Sequence, residues 1–295
     1  MKQNDLRFAI ASQGATICVQ FLHPLDIIKT RMQSHDGQTQ KNLVPKYGSI
    51  SNAIKQIYKE EGLKGFTKGI FWSLCANSIA RVLFFVFYES KKEECNSYFG
   101  HGSKKGILIA SIYASLLAQI MTQPLWVTLT RLQLNVGKMN GFENVRFTVQ
   151  QIYNQHGVLG FYRGLKMALL TSCHGMIQIN CYEWCLSLLT QFEQHKDFNS
   201  FIAGGFSKGF AIFCTYPMTT IKTRIIQNQY IGTDNPKYKN NFDIANKILE
   251  HEGLRGFYKG ISASVLKGMP SKAIYFFFYE HFKDMLNVGR TKNIN

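Results

Sequence analysis

Acidic residues are scarce: 18 Asp and Glu stand against 34 Lys and Arg, a formal net charge of +16 over 295 residues. An excess this large points to an anionic partner and leaves nucleic acid, an acidic membrane surface and a phosphorylated or carboxylated small molecule open. Patterns for metals and disulfides are also missing. The seven cysteines (Cys18, Cys75, Cys95, Cys173, Cys181, Cys185 and Cys214) are an odd number scattered through apolar stretches, with no CxxC and no Cys/His ligand spacing. That argues against a disulfide scaffold and a structural zinc site. Cys181 and Cys185, one turn apart near His174, fit small thiols packed between helices better than a metal or redox centre. No GxSxG, HExxH, Walker loop or dinucleotide fingerprint occurs, so no catalytic residue and no metal site is expected and the chain does not read as an enzyme. Met1 to Arg7 is polar and lacks a cleavable hydrophobic signal, so any import signal is expected to be internal.

What the sequence has in abundance is self-similarity. Glu61 to Gly69 (EGLKGFTKG), His156 to Gly164 (HGVLGFYRG) and Glu252 to Gly260 (EGLRGFYKG) match, and Gly62, Gly157 and Gly253 within them are 95 and 96 residues apart. A second motif keeps the same phase: PLDIIKTR from Pro24, PLWVTLTR from Pro124 and PMTTIKTR from Pro217. A third ends each unit as Tyr-Glu, at Tyr88-Glu89, Tyr182-Glu183 and Tyr279-Glu280. The chain is a threefold tandem repeat, with units expected at 1–99, 100–196 and 197–295 that close round an axis into one barrel.

Each unit reads as an apolar stretch running into Pro and a basic cluster, then a polar stretch, then a second apolar stretch. The first stretches are Phe8 to Leu22, Ile107 to Met121 and Phe201 to Thr215; the second are Ile70 to Tyr88, Leu165 to Tyr182 and Ile261 to Tyr279. Six spanning helices follow. The fold class is an all-α membrane protein, six transmembrane helices in three pseudo-symmetric repeats with short amphipathic helices on one membrane surface. Gly, Ser, Gln and charges interrupt every span, and polar groups facing lipid cost several kcal/mol each, so the helices are expected to surround something wet. The linking segments, from Asn42, Val136 and Pro236, are basic, and Lys and Arg gather on their side, which the positive-inside rule makes the negative compartment.

These motifs, three copies of Px[DE]xx[KR]x[KR] each followed by a Gly-rich [DE]Gx4[WYF][KR]G box, resemble the mitochondrial carrier family over about Arg7 to Leu286. The resemblance implies a multi-pass inner-membrane barrel with Pro kinks on its odd helices and termini towards the intermembrane space. It also implies a monomer working by alternating access without ATP, and bound cardiolipin as the only tightly held small molecule, with no cofactor. Trp126 at a usually acidic position, Gln123-Pro-Leu-Trp126, Thr171-Ser-Cys-His-Gly-Met-Ile-Gln178, and Ser207-Lys208 followed by Thr215-Tyr-Pro217 are similar to the folate/FAD, NAD and pyrimidine-nucleotide branch.

Carried onto these positions, the matrix gate is Asp26 and Lys29, Trp126 and Leu129, Thr219 and Lys222, with Gln33 and Gln133 beside it. Family pairing would set Asp26 against Leu129, Trp126 against Lys222 and Thr219 against Lys29, so no matrix bridge is complete. The cytoplasmic gate is Glu89, Lys92, Glu183, Glu280 and Lys283. Leu186 leaves Glu89 without a partner, while Glu183–Lys283 and Glu280–Lys92 remain possible. Two bridges against none predict a resting state closed on the cytoplasmic side. Arg81 and Lys272 sit eight residues before Glu89 and Glu280, with Gly175 at the same place in repeat two. With Lys208, Lys267, His174 and Gln178 they form the expected site for an anionic nucleotide-like or folate/FAD-like substrate. Asn180 is a further candidate for reading a ring edge, and Phe84, Phe85 and Tyr275 for stacking on it. Lys68 and Gly69, Arg163 and Gly164, Lys259 and Gly260 place cations and helix N-termini where a lipid phosphate can bind.

Nucleic-acid binding is set aside because the basic residues follow the repeat phase and form no single patch. The serious rival is a transport-impaired carrier fold serving as a structural subunit of a larger inner-membrane complex of respiratory-chain type. Its grounds are the incomplete matrix bridges, Leu186, Thr67 in place of an aromatic, and His156 in place of an acid.

Overall fold

A computed structural model describes residues 12–34, 47, 49–100, 103–135, 141–189, 196–228 and 241–285. Three helical hairpins, each carrying a short surface helix, account for it. In repeat one, α1 (residues 12–19) passes through a 3-10 turn, Gln20–Leu22, into α2, His23–Ser34. The surface helix α3, Ile50–Glu61, and the long α4, Ile70–Phe99, follow. Repeat two has α5, Lys104–Leu134; α6, Gly141–His156; and α7, Leu165–Thr171, with α8, His174–Leu189. Repeat three has α9, Lys196–Asn228; α10, Asn241–Glu252; the single turn α11, Leu254–Phe257; and α12, Ile261–Met285. There is no strand among the described residues. The six spanning helices and three amphipathic surface helices read from the repeats are all present.

The spans are inside out by the standard of a soluble protein. Phe21, Phe71, Tyr98 and Phe213 are more than half exposed, while Arg31, Gln123, Thr128, Arg131, Thr220 and Arg224 are buried. Lipid solvates the first group, and the second finds partners inside. Where helices touch, alanines do the packing: Ala76, Ala110, Ala114, Ala203, Ala211 and Ala263 are fully buried, and small residues let backbones approach. The chain order sets the neighbours, since α4 packs along α5 and α8 along α9, and α12 closes the ring on α2. Among the described residues, Leu63–Phe99 and Lys105–Leu134 pass as membrane-crossing helices on length and apolarity alone.

The surface helices follow amphipathic spacing. Ala53 and Ile57 of α3, Asn144, Thr148 and Ile152 of α6, and Ile244 and Ile248 of α10 are buried at intervals of four, one stripe per helix. Ser49 caps α3 by accepting a hydrogen bond from the Asn52 N–H at 3.2 Å.

Two details depart from the sequence reading. The expected kinks at the motif prolines differ among repeats: Pro24 follows the 3-10 turn, whereas Pro124 and Pro217 lie within unbroken α5 and α9. The stretch Leu165 to Tyr182, read as one span, is two helices joined at Ser172-Cys173. Thr171 Oγ1 and Ser172 Oγ both donate to the Ala168 carbonyl, at 2.7 and 3.3 Å. Such side-chain bonds compete with the helical ladder, and here the helix ends at Thr171.

The repeat motif packs the same way three times. Gly69, Gly164 and Gly260 have φ of 75°, 74° and 79° and begin α4, α7 and α12, a conformation that costs any residue with a Cβ. Space is short as well. A Cβ there would meet Leu129 of repeat two at 3.1 Å, Lys222 of repeat three at 3.3 Å and Met32 of repeat one at 3.0 Å. Each glycine box therefore seats the next repeat's odd helix, and the third returns to the first, which closes the barrel.

Candidate functional site

The Pro-motif ends of α2, α5 and α9 are drawn together by hydrogen bonds in which no acid takes part. Thr30 Oγ1 donates to Gln133 Oε1 at 2.8 Å, and Thr223 Oγ1 donates to Gln33 Oε1 at 3.0 Å. Gln33 Nε2 donates to Thr219 Oγ1 at 3.1 Å. Arg31 Nε and Arg224 Nε donate to the carbonyls of Gln133 and Gln33 at 2.9 and 3.1 Å. Thr30, Thr130 and Thr223 are equivalent in the repeats, as are Gln33, Gln133 and Ile226. Two Thr–Gln braces thus tie repeat one to two and three to one, and the third position holds an isoleucine. None of the expected family pairings is seen. Trp126 donates to Thr122 of its own helix at 3.2 Å, Leu129 is buried against Gly69, and Lys29 lies 5.7 Å from the centre of the Tyr216 ring. The stem of Lys222 runs past Gly164.

Asp26 finds a partner that the sequence reading assigned elsewhere. Its Oδ2 accepts from Lys267 Nζ at 2.6 Å, across from α2 to α12, with both side chains about a quarter exposed at 27% and 28%. Among the described residues this is the one ion pair joining two repeats.

A cavity of about 410 Å³ lies against this closure, lined by Asp26, Lys29, His174, Lys208, Thr215 and Lys267 among others. Thr215 Oγ1 donates to the Ala211 carbonyl at 2.7 Å, so at its 3.0 Å contact with His174 it accepts from Nδ1–H. On its other side the ring places Nε2 at 2.9 Å from Lys208 Nζ. Lys208 Nζ also reaches Gln178 Oε1 at 3.4 Å. The break before α8 sets His174 and Thr171 on the cavity wall. Lys208, Lys267, His174 and Gln178, named from sequence, come together. Arg81 stands apart from this cavity, donating to the Ser12 carbonyl at 3.2 Å and to Ser12 Oγ, 5.7 Å from the Tyr275 ring centre. Asn180 is exposed and donates to Met176 of its own helix at 3.0 Å, and Phe85 is 56% exposed, so both point away from the site. The side chain of Lys272 lies outside the described residues.

The opposite end is not packed shut. Lys92 pairs with Glu89 three residues earlier, at 3.2 Å with side-chain exposures of 40% and 62%, and Glu183 is exposed. Among the described residues the partner of Lys92 is thus on α4 itself, and the side chains of Glu280 and Lys283 lie outside the described residues. The expectation of a state closed at the cytoplasmic end turns on those two side chains and so lies outside the described residues. Counting acid–base pairs ignored the threonine and glutamine hydroxyls and amides, which hold the other end closed.

The cations of the glycine boxes also have other partners than those expected. Lys68 Nζ lies 2.9 Å from Glu61 and 2.9 Å from the Asn135 carbonyl, and Lys259 Nζ lies 2.6 Å from Glu252. Glu61 also accepts from Arg31 at 2.9 and 3.0 Å, and Glu252 from Arg224 at 2.7 and 2.9 Å. Burial raises the Glu252 carboxyl, but the bonds from Arg224 and Lys259 outweigh it and hold it below the usual 4.5. In repeat two His156 replaces the acid, and burial together with Arg163 and Arg131 lowers its proton affinity. The residues before the motif prolines complete each box: His23, Gln123 and Tyr216 bond the carbonyls of Lys68, Arg163 and Lys259 at 2.9, 2.9 and 3.0 Å. What remains open to lipid is a mostly apolar groove of about 510 Å³ bordered by Gly69, Phe71, Trp72, Gly141 and Phe142, between the starts of α4 and α6.

The pattern described as mitochondrial carrier protein matches residues 6–98, 106–193 and 193–289. The chain belongs to the mitochondrial carrier protein family. This carrier is similar to the Arabidopsis thaliana protein named folate transporter 1, chloroplastic, with 27% identity over 91% of each chain. It is 31% identical to nicotinamide adenine dinucleotide transporter 2, mitochondrial, of the same plant, over 92% of this chain and 78% of the relative. With human solute carrier family 25 member 33 it shares 28% identity over 95% and 94% of the two chains. These relatives are carriers and not enzymes.

Proposed function

We propose that the carrier moves an anionic nucleotide-like or folate/FAD-like metabolite across the mitochondrial inner membrane by alternating access. The observation that carries this reading is the charge of the cavity: among the described residues lining it, Lys29, Lys208 and Lys267 stand against the one carboxylate of Asp26. A ligand bearing two negative charges balances it, and a space of about 410 Å³ suits the charged end of such a molecule. The names of the folate and nicotinamide adenine dinucleotide relatives support that substrate class. Gln178, together with His174, supplies donors and acceptors for a ring edge.

The Thr–Gln braces and the Asp26–Lys267 pair favour transport over a structural role, because a closure built from hydrogen bonds and an exposed ion pair can be undone reversibly. The termini are placed towards the intermembrane space, and the groove beside Gly69 is assigned to cardiolipin acyl chains, with the phosphate on backbone N–H groups. The protein acts as a monomer.

Uptake of labelled nucleotides, folate and FAD into liposomes containing the purified carrier tests the reading, with Lys208→Gln expected to lower uptake of the best substrate about tenfold or more. No uptake by a folded carrier, together with co-purification in a large inner-membrane complex at fixed stoichiometry, would overturn it and install the structural role.

A further inference from the structure

We propose that Lys267 is shared between ligand and gate, so that a dianionic group taking its ammonium releases Asp26 and unlatches the closed end. The inference rests on the anion-transport reading and adds the residue that couples binding to movement. Asp26, Thr30 and Gln33 lie on one face of α2 at spacings of four and three. Thr30 and Gln33 make the braces to α5 and α9, while Asp26 reaches the other way, to Lys267 on α12. One helix face thus carries both the closure and the ion pair that looks into the cavity.

The other charged or titratable groups around the pair are few. His23 Nδ1 is 3.9 Å from Asp26 and makes no hydrogen bond, and Lys29, Lys208 and His174 share the cavity wall. Asp26 is the only carboxylate among the described residues lining the cavity, so an arriving phosphate or carboxylate competes with it for the same ammonium by the same charge-assisted hydrogen bond. Once Lys267 turns to the ligand, what still holds the end of α2 is the Thr–Gln braces and the Arg31 and Arg224 bonds to backbone carbonyls, hydrogen bonds that water can replace at both partners. Pairing Asp26 with α12 rather than with the odd-helix position occupied by Leu129 is what makes the latch sensitive to cavity contents.

The test uses the full-length carrier with its native cysteines replaced and Leu129→Cys as reporter, since Leu129 is only 6% exposed in the closed gate. Labelling by a water-soluble maleimide then reports opening. Melting shifts with uridine triphosphate, nicotinamide adenine dinucleotide and folate report binding. Asp26→Asn should speed labelling without ligand about fivefold or more and lower the ligand concentration needed for half the melting shift. Lys267→Gln should speed labelling as much and weaken binding. The exchange of Asp26→Lys with Lys267→Asp should restore slow labelling.

Labelling of Asp26→Asn and Lys267→Gln at the parent rate, in a carrier whose melting still shifts with an anion, overturns the latch alone. Absence of any anion-induced shift in the parent overturns the transport reading and the trigger with it. In that event, faster labelling of Asp26→Asn would leave only the ion pair's closing role standing.

Discussion

Replacing His156 with Glu tests whether the repeats are mechanically equivalent. In repeat one Glu61 accepts bonds from Arg31 and Lys68 with its side chain only 2% exposed, and in repeat three Glu252 does the same with Arg224 and Lys259 at 7%. His156 occupies the third copy of that place, where Arg163 and Arg131 already oppose its protonation. His156→Glu puts a carboxylate between two guanidinium groups. A charge-assisted hydrogen bond contributes about 1.5–3 kcal/mol when buried. The residue is exposed at this position, so solvent screening reduces the expected gain to about 1 kcal/mol. With about 2–4 °C per kcal/mol for a chain of this size, the melting temperature of the purified carrier should rise by a few degrees. Glu61→Gln and Glu252→Gln calibrate the scale: each leaves cations buried without their acid and should cost about 3 kcal/mol or more. If both controls melt early while His156→Glu melts with or below the parent, the equivalence argued from the three boxes is wrong.

Two further outcomes follow from the same geometry. Gly260→Ala should lower the melting temperature, because it forces a Cβ into φ 79° and to within 3.0 Å of Met32, at about 1–2 kcal/mol for the conformation alone. Gly204→Ala, with nothing within 4 Å of the added carbon, should melt with the parent, and equal effects from the two would refute the packing argument. For acid titration the sign follows from Glu252, whose carboxyl is held below 4.5 in the folded carrier. Its contribution is present above that pH and is lost as pH falls through the folded value. Melting curves should therefore separate parent from Glu252→Gln at pH 7 and converge as pH falls through the folded value of Glu252, below 4.5. A gap that persists unchanged in acid would refute the assignment.

Much of this molecule was legible before any coordinates. The repeat phase gave the hairpins, because three copies of one motif must make three copies of one local structure, and the positions of apolar residues in α3, α6 and α10 gave their buried stripes. Lys208, His174 and Gln178 were found by asking which polar groups a membrane helix would hide. The partner of Asp26 was not found. Family spacing pointed to Leu129, and nothing local says that Lys267, 241 residues away, lies 2.6 Å from it. The Thr–Gln braces had a visible trace, the threonine common to all three motifs, but a hydroxyl between two basic positions gives no sign of its acceptor.

The sequence by itself therefore determined what is periodic and local: helices, turns at the glycine boxes, the threefold plan and the surplus of positive charge. Tertiary structure alone decided which end is closed, which lysines answer to Glu61 and Glu252 and which to the cavity, and where the helix of repeat two breaks. The reason is physical. Periodicity is written in neighbours along the chain, whereas an ion pair or a brace depends on the distance between atoms from different repeats, and that distance is set only when the ring closes.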